Sequence, residues 1–316
     1  MNHSRRDFLA QSSLVASTLL ASTALNSKLC ATSALDSTAE NWIDAHVHVW
    51  TPDLDKYPLS AGFKKSDMQP ASFIPEELFA HCQPCGVKRI VLIQMSYYQY
   101  DNRYMLDVIR AHPGVFSGVG IVDYQAADVA EKMKELKQGG VRGFRIYPAA
   151  GEAAKWVEHT GMAKMWTTAQ AENLAICPLI NPTDLPYIQK LCQKYPDTKV
   201  VIDHFARIGI SGEVDKEQLA QLCGLAKFPN VHVKTSAFYA LGKKKAPYTD
   251  LLPMIRQVVD AYSPKRLMWA SDCPFQVESG HTYAASIELI RDRADFLSAS
   301  DKEEMLRGTA ERVFFG

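Results

Sequence analysis

The chain has no surplus of either charge: across 316 residues, Lys and Arg number 35, and so do Asp and Glu. A nucleic-acid binder needs a basic face to release counterions from phosphates, so this balance argues against that class. No apolar run reaches the roughly 20 residues that a membrane span requires. The nearest, Leu14 to Leu25, is too short, which predicts a protein without a stable membrane anchor. No linker, repeat or low-complexity segment follows residue 40. No glycine-rich phosphate loop follows the first strand-like run, which disfavours a doubly wound nucleotide-binding sheet. The seven cysteines, Cys30, Cys82, Cys85, Cys177, Cys192, Cys223 and Cys273, are scattered and form no disulfide framework. Cys82-Gln83-Pro84-Cys85 has metal or redox spacing. It lacks the second pair of a four-thiolate zinc site and reads as structural.

The first 35 residues stand apart. Ser4-Arg5-Arg6-Asp7-Phe8-Leu9 places paired arginines before the uncharged stretch, and small residues such as Thr32-Ser33-Ala34 follow. This is the layout of a twin-arginine export signal. It predicts residues 1–35 as signal and lead, with Cys30 inside it. It also predicts recognition by the twin-arginine machinery, and a periplasmic or secreted mature protein.

From residue 41 onward, β-branched apolar runs alternate with stretches of helical spacing. The runs are 42–50, 89–95, 116–123, 140–148, 174–181, 199–205, 231–237 and 266–274. Each is short enough for a buried strand and is bounded by Gly, Pro, Asn or Asp. The spacers predict helices at 75–81, 102–111, 127–137, 162–171, 184–194, 216–226, 251–262 and 283–296. One more opens on a capping box at Ser300. Eight strands alternating with eight helices predict a single (β/α)8 TIM barrel over residues 41–316.

Such barrels work at the carboxyl ends of their strands. The first strand ends Asp44-Ala45-His46-Val47-His48, the sixth Ile202-Asp203-His204, the eighth Ser271-Asp272. Period-two alternation predicts Asp44, His46 and His48 on the inner face. The expected site is therefore His46, His48, His204 and Asp272. Arg142 and Arg145 differ by three positions, so alternation turns only one of them into the lumen. Ser96, Tyr97 and Tyr98 follow strand two and are expected to line the pocket. The remaining histidines, and Lys243-Lys244-Lys245, read as core or solvated surface.

Four segments carry a family resemblance: 43–50, 140–145, 201–204 and 266–274, with the closing helix at 310–314. The chain resembles the amidohydrolase-related family that includes 2-pyrone-4,6-dicarboxylate lactonase and sugar lactonases. The resemblance implies hydrolysis of a small lactone. Asp272 would act as general base, His46, His48 and His204 would hold the carbonyl oxygen, and Arg207, with Arg142 or Arg145 and Tyr97, would bind substrate. Metal-dependent members carry a further histidine at strand five, where this chain has Cys177. The expectation is that no metal is required. The alternative is one zinc or manganese ion on His46, His48, Asp272 and Cys177, in a decarboxylase or hydratase. A non-catalytic periplasmic binding protein is a further alternative, and a homodimer is the expected assembly.

Overall fold

A computed structural model describes residues 41–149 and 151–316. The expected export signal, with Arg5, Arg6 and Cys30, lies outside these residues. The strands are β1 Trp42–Val47, β2 Val87–Ile93, β3 Phe116–Gly120, β4 Val141–Ile146, β5 Ala175–Pro178, β6 Lys199–Ile202, β7 Val231–Thr235 and β8 Leu267–Trp269. They pair in parallel, in chain order. Two backbone bonds join the last strand's extension to the first. His48 N donates to Cys273 O at 2.8 Å, and Asp272 N donates to His46 O at 2.9 Å. The expected barrel is present. No helix among the described residues is long and apolar enough to cross a membrane.

Among the described residues, eleven α-helices lie between and after the strands: α1 Pro75–Cys82, α2 Arg103–Ala111, α3 Val129–Gln138, α4 Ala153–Trp156, α5 Thr160–Ala171, α6 Leu185–Lys194, α7 Lys216–Gly224, α8 Leu252–Tyr262, α9 Tyr283–Glu288, α10 Ala299–Glu303 and α11 Thr309–Phe314. Their starts are chemically marked. Pro75 opens α1, and Glu77 accepts from the Ile74 amide at 2.7 Å. Asp215 caps α7 through the amides of Glu217 and Gln218. The capping box of α10 belongs to Ser298 with Asp301, not to Ser300, which lies inside the helix. The stretch predicted as one helix over 283–296 is α9 followed by a wider π turn at Leu289–Arg293.

Strand alternation sorts the core into two layers. Val200, Ile202 and Val233 face the helices, whereas Val91, Ile93, Val201, Met268 and Ala270 fill the lumen. The lumen's floor is closed by Ala310, Val313 and Phe314 of α11. Burying a side chain such as Val313 or Phe314 contributes about 1.5–3 kcal/mol.

One predicted placement fails here. Asp44 pairs with Ile90 and Val47 with Leu92, so β1 spends three steps where β2 spends two. This bulge breaks the alternation. Ile43 and Ala45 face the lumen, and Asp44 points outward. There its carboxyl accepts from the amides of His46 (3.1 Å) and Ser271 (2.9 Å) and from the Tyr283 hydroxyl (2.7 Å). Burial pushes its pKa up to about 6 against those hydrogen bonds. Asp44 thus ties β1 to the extension of β8 from outside the ring.

Candidate active site

The bulge returns His46 to the lumen, and His48 follows it at the rim. His48 Nδ1 lies 3.0 Å from Ile93 O. A carbonyl only accepts, so this nitrogen carries a proton, and Nε2 faces His46 Nε2 at 3.2 Å and Asp272 Oδ1 at 3.5 Å. His204 Nδ1 lies 2.8 Å from Ser236 Oγ, whose own proton is directed to Lys234 O at 3.4 Å. That leaves His204 Nε2 turned towards Asp272 Oδ1, 3.8 Å away. Burial lowers the pKa of both imidazoles, against the pull of the Asp272 carboxylate, which raises it.

Asp272 receives them. Its Oδ1 lies 3.4, 3.5 and 3.8 Å from Nε2 of His46, His48 and His204. Its Oδ2 accepts from the Tyr239 hydroxyl at 2.7 Å. Burial opposes ionisation of Asp272, yet the neighbouring imidazoles, His204 foremost, hold its carboxyl below the usual carboxylate range. It therefore stands ionised.

The chain reaches this geometry through an unusual turn. His204, Phe205, Ala206 and Arg207 have φ of 52°, 51°, 53° and 60°, one turn of left-handed 3₁₀ helix built without glycine. Left-handed backbone costs roughly 1–2 kcal/mol per residue. Complete burial of Phe205 and Ala206 offsets part of that cost. With three residues per turn, His204 and Arg207 eclipse one another, so both face the same space. Asp272 itself has φ 66°.

Beneath the rim lies a buried charge cluster. Lys234 Nζ sits 3.0 Å from Asp203 Oδ1 and 3.2 Å from His46 Nδ1, with no exposure. Arg145 Nη2 donates to Asp203 Oδ2 at 3.2 Å and to His46 Nε2 at 2.8 Å. Burial, then the Lys234 charge, drive the His46 pKa well down, so this ring is neutral. Burial opposes the Asp203 charge, but Lys234 and then His46 hold it well below the usual range. His46 is thus a supporting residue under the floor, not part of the cavity wall.

The cavity above encloses about 500 Å³, walled in part by His48, His204, Asp272, Arg145, Arg207 and Tyr239. His46, His204 and Asp272 bring one ligand atom each within 4.8 Å of one another, a possible metal-binding triad.

Comparison with known proteins places this arrangement. Residues 43–316 match the amidohydrolase family model, Amidohydro_2. The chain belongs to the amidohydrolase family. As an amidohydrolase it is a hydrolase. It is 31% identical over 251 residues to L-fucono-1,5-lactonase of Burkholderia ambifaria, covering 76% of this chain and 82% of that one. It is 28% identical over 244 residues to 2-pyrone-4,6-dicarboxylate hydrolase of Comamonas testosteroni, covering 73% and 76%. A zinc-bound amidohydrolase from Burkholderia multivorans shares the fold, with TM-score 0.75 and 23% identity over 87% of this chain and 99% of that one.

Not every expected site residue of this amidohydrolase reaches the cavity. Arg145 is the lumen arginine. Arg142 turns outward and donates to the carbonyls of Lys137 and Val141, both at 3.1 Å. Tyr97 packs edge-on against Trp50 and gives its proton to Asp67 O at 2.9 Å, so it is core; only Ser96 of that trio lines the pocket. Cys177 lies in the apolar lumen, where burial pushes its thiol up to about 12, and it is not in the triad. Lys243 to Lys245 form an exposed loop. Sequence reasoning missed Lys234 and Tyr239. The first had a signal: a lysine in the apolar strand Val231-His232-Val233-Lys234-Thr235 must find a buried partner.

Proposed function

We propose that this amidohydrolase opens a small lactone, carboxylated or sugar-derived, with a water activated by Asp272. The observation that carries the proposal is the convergence of an ionised carboxylate with the Nε2 atoms of His48 and His204 on one cavity. The carboxylate can accept a proton from a water, and the imidazole nitrogens beside it can orient that water. The names of the two sequence relatives supply the substrate class.

The water oxygen attacks the carbonyl carbon as its proton passes to Asp272. Arg145, at the cavity wall, neutralises the oxyanion as it forms. Collapse breaks the ring C–O bond, the proton moves to the departing alkoxide, and a hydroxy acid results. Arg207, half-buried beside His204, is placed to meet a polar ring substituent.

The donor set argues against a metal in this reaction. An ion on the His46, His204 and Asp272 triad needs the His46 Nε2 lone pair, and the Arg145 guanidinium sits 2.8 Å from it. A cation already serves that atom, and the strand-five thiol lies in the apolar lumen, outside the triad. No step is therefore assigned to a metal.

A hydrolysis screen over carboxylated and sugar lactones, with and without a chelator, tests this. Turnover that survives exhaustive chelation is expected. Loss on chelation with recovery on zinc or manganese would favour the decarboxylase-like alternative. For the export signal proposed at residues 1–35, Arg5→Lys with Arg6→Lys is expected to leave the precursor in the cytoplasm. Normal appearance outside the inner membrane would count against it.

A further inference from the structure

The cavity over Asp272 has a neighbour. A second lobe of about 420 Å³ shares Ser96, Arg145, Leu179 and Arg207 with it. A lactone ring opened at Asp272 lies in the first lobe, and a long ring substituent can extend past these residues into the second. The rest of the second lobe offers Phe63, Tyr147, Gln99 and Asn181 among its walls. These are two aromatic rings and two primary amides, with no carboxylate and no ammonium. Arg145 is committed to Asp203 and His46, and Arg207 Nη1 donates to Asn181 Oδ1 at 3.3 Å. Both guanidiniums lie where the two lobes meet, and the other named walls of the second lobe carry no charge.

Its unspent groups suit hydroxyls. The Gln99 side-chain amide, Asn181 Nδ2 and the Tyr147 hydroxyl make no hydrogen bond among the described residues. An amide offers both a donor and an acceptor, which is what a hydroxyl needs. An aromatic ring supplies a flat apolar platform for the C–H face of a sugar. The loop is also built rather than slack. Gln99 has φ 46° and ψ −113°, outside the ordinary regions for a side-chain-bearing residue. Buried Gln94 holds it there, donating from Nε2 to Gln99 O at 3.2 Å and to Asp101 O at 2.7 Å. Strained backbone of this kind, at a cost of roughly 1–3 kcal/mol, concentrates where a ligand is met.

We infer that the second lobe is a subsite for a neutral polyhydroxylated extension, a glycosyl unit, so that the preferred substrate is a glycosylated aldonolactone. This rests on the lactonase proposal and narrows it. The test uses glucono- and galactono-1,5-lactone, each with and without a β-glycosyl unit at O4. For at least one pair, kcat/KM is expected to be about tenfold or more higher with the glycosyl unit, mainly through KM. Tyr147→Ala and Gln99→Gly, each alone, should pull that ratio down to within about twofold of one. A wild-type ratio near or below one overturns the inference while leaving the lactonase proposal intact. A high ratio that both variants retain overturns the assignment to this lobe. No turnover of any of the four, with activity on other lactones, also overturns it. Inactivity on every lactone overturns both proposals.

Discussion

The two ends of the barrel bend the chain by different means. At the end where helices feed strands, left-handed residues are Gly86, Gly114, Gly140, Asn173 and Ser263, mostly types that reach positive φ at little cost. At the catalytic end glycines also turn left-handed, among them Gly209, Gly212, Gly242 and Gly280, but so do side-chain-bearing residues that include Gln99, His204, Phe205, Ala206, Arg207, Ala237 and Asp272. The first end is shaped by local preference and floored by apolar residues of α11. The second is in part forced into shape by burial and ion pairs, and His204, Arg207 and Asp272 are among the forced residues. Strain of that kind gathers where the chemistry is.

The largest test of this contrast lies between the two ends. Lys234→Met removes the ammonium from Asp203 while keeping an apolar stem. Breaking a buried pair in this way should cost about 3–5 kcal/mol, read by urea denaturation. A loss under about 1 kcal/mol would mean that the rim does not depend on the charges beneath it. Next is Asp272→Asn, which keeps the shape but cannot take a proton. Turnover should fall about a hundredfold or more with folding stability nearly unchanged. Arg207→Met should instead raise KM more than it lowers turnover. Near-normal turnover in Asp272→Asn would sink the proposed mechanism.

Tyr239→Phe probes how the rim holds its base. Among the described residues, Tyr239 makes the only side-chain hydrogen bond to Asp272 of ordinary length. Its loss should cut kcat by about tenfold with KM little changed, because the carboxylate can then rotate. An equal rise in KM would make Tyr239 a substrate contact instead. Smallest of all is Gly114→Ala at the far end. An added Cβ at Gly114 meets nothing within 4 Å, so only its φ of 78° opposes alanine. About 1 kcal/mol of stability should go, with turnover untouched. A change in turnover would show that the two ends are coupled.

The same contrast explains what could be read from sequence. The barrel was legible because strands such as β2 and β6 alternate faces and the helices open on Pro75, Glu77 and Asp215. His48, His204 and Asp272 were legible because each ends a strand. Asp44 was misplaced because a one-residue bulge leaves no mark in the alternation that it breaks. Tyr97 was misplaced because loop residues carry no period: its proton goes to Asp67 O, across a contact that spacing does not encode. The pairing of His204 with Arg207 needed a left-handed turn, which no residue in Phe205-Ala206 announces. Arg145 and Arg142 were separable only in part, since alternation says that one faces inward and not which.

The barrel floor has a consequence for how the chain is made. Phe314 lies 5.5 Å beneath the Lys234 ammonium, and Ala310 and Val313 pack beside it in the lumen. Tyr283 reaches Asp44 across 239 positions, and Glu311 pairs with Arg89 across 222. These contacts join the two extremes of the barrel in chain order, so none can form until nearly the whole barrel has left the ribosome. Pairings so distant in sequence slow folding and leave apolar strands uncovered in the meantime. The nascent chain therefore has a long interval in which β1 waits for β8 and the lumen has no floor, and that interval is when a chaperone has something to hold.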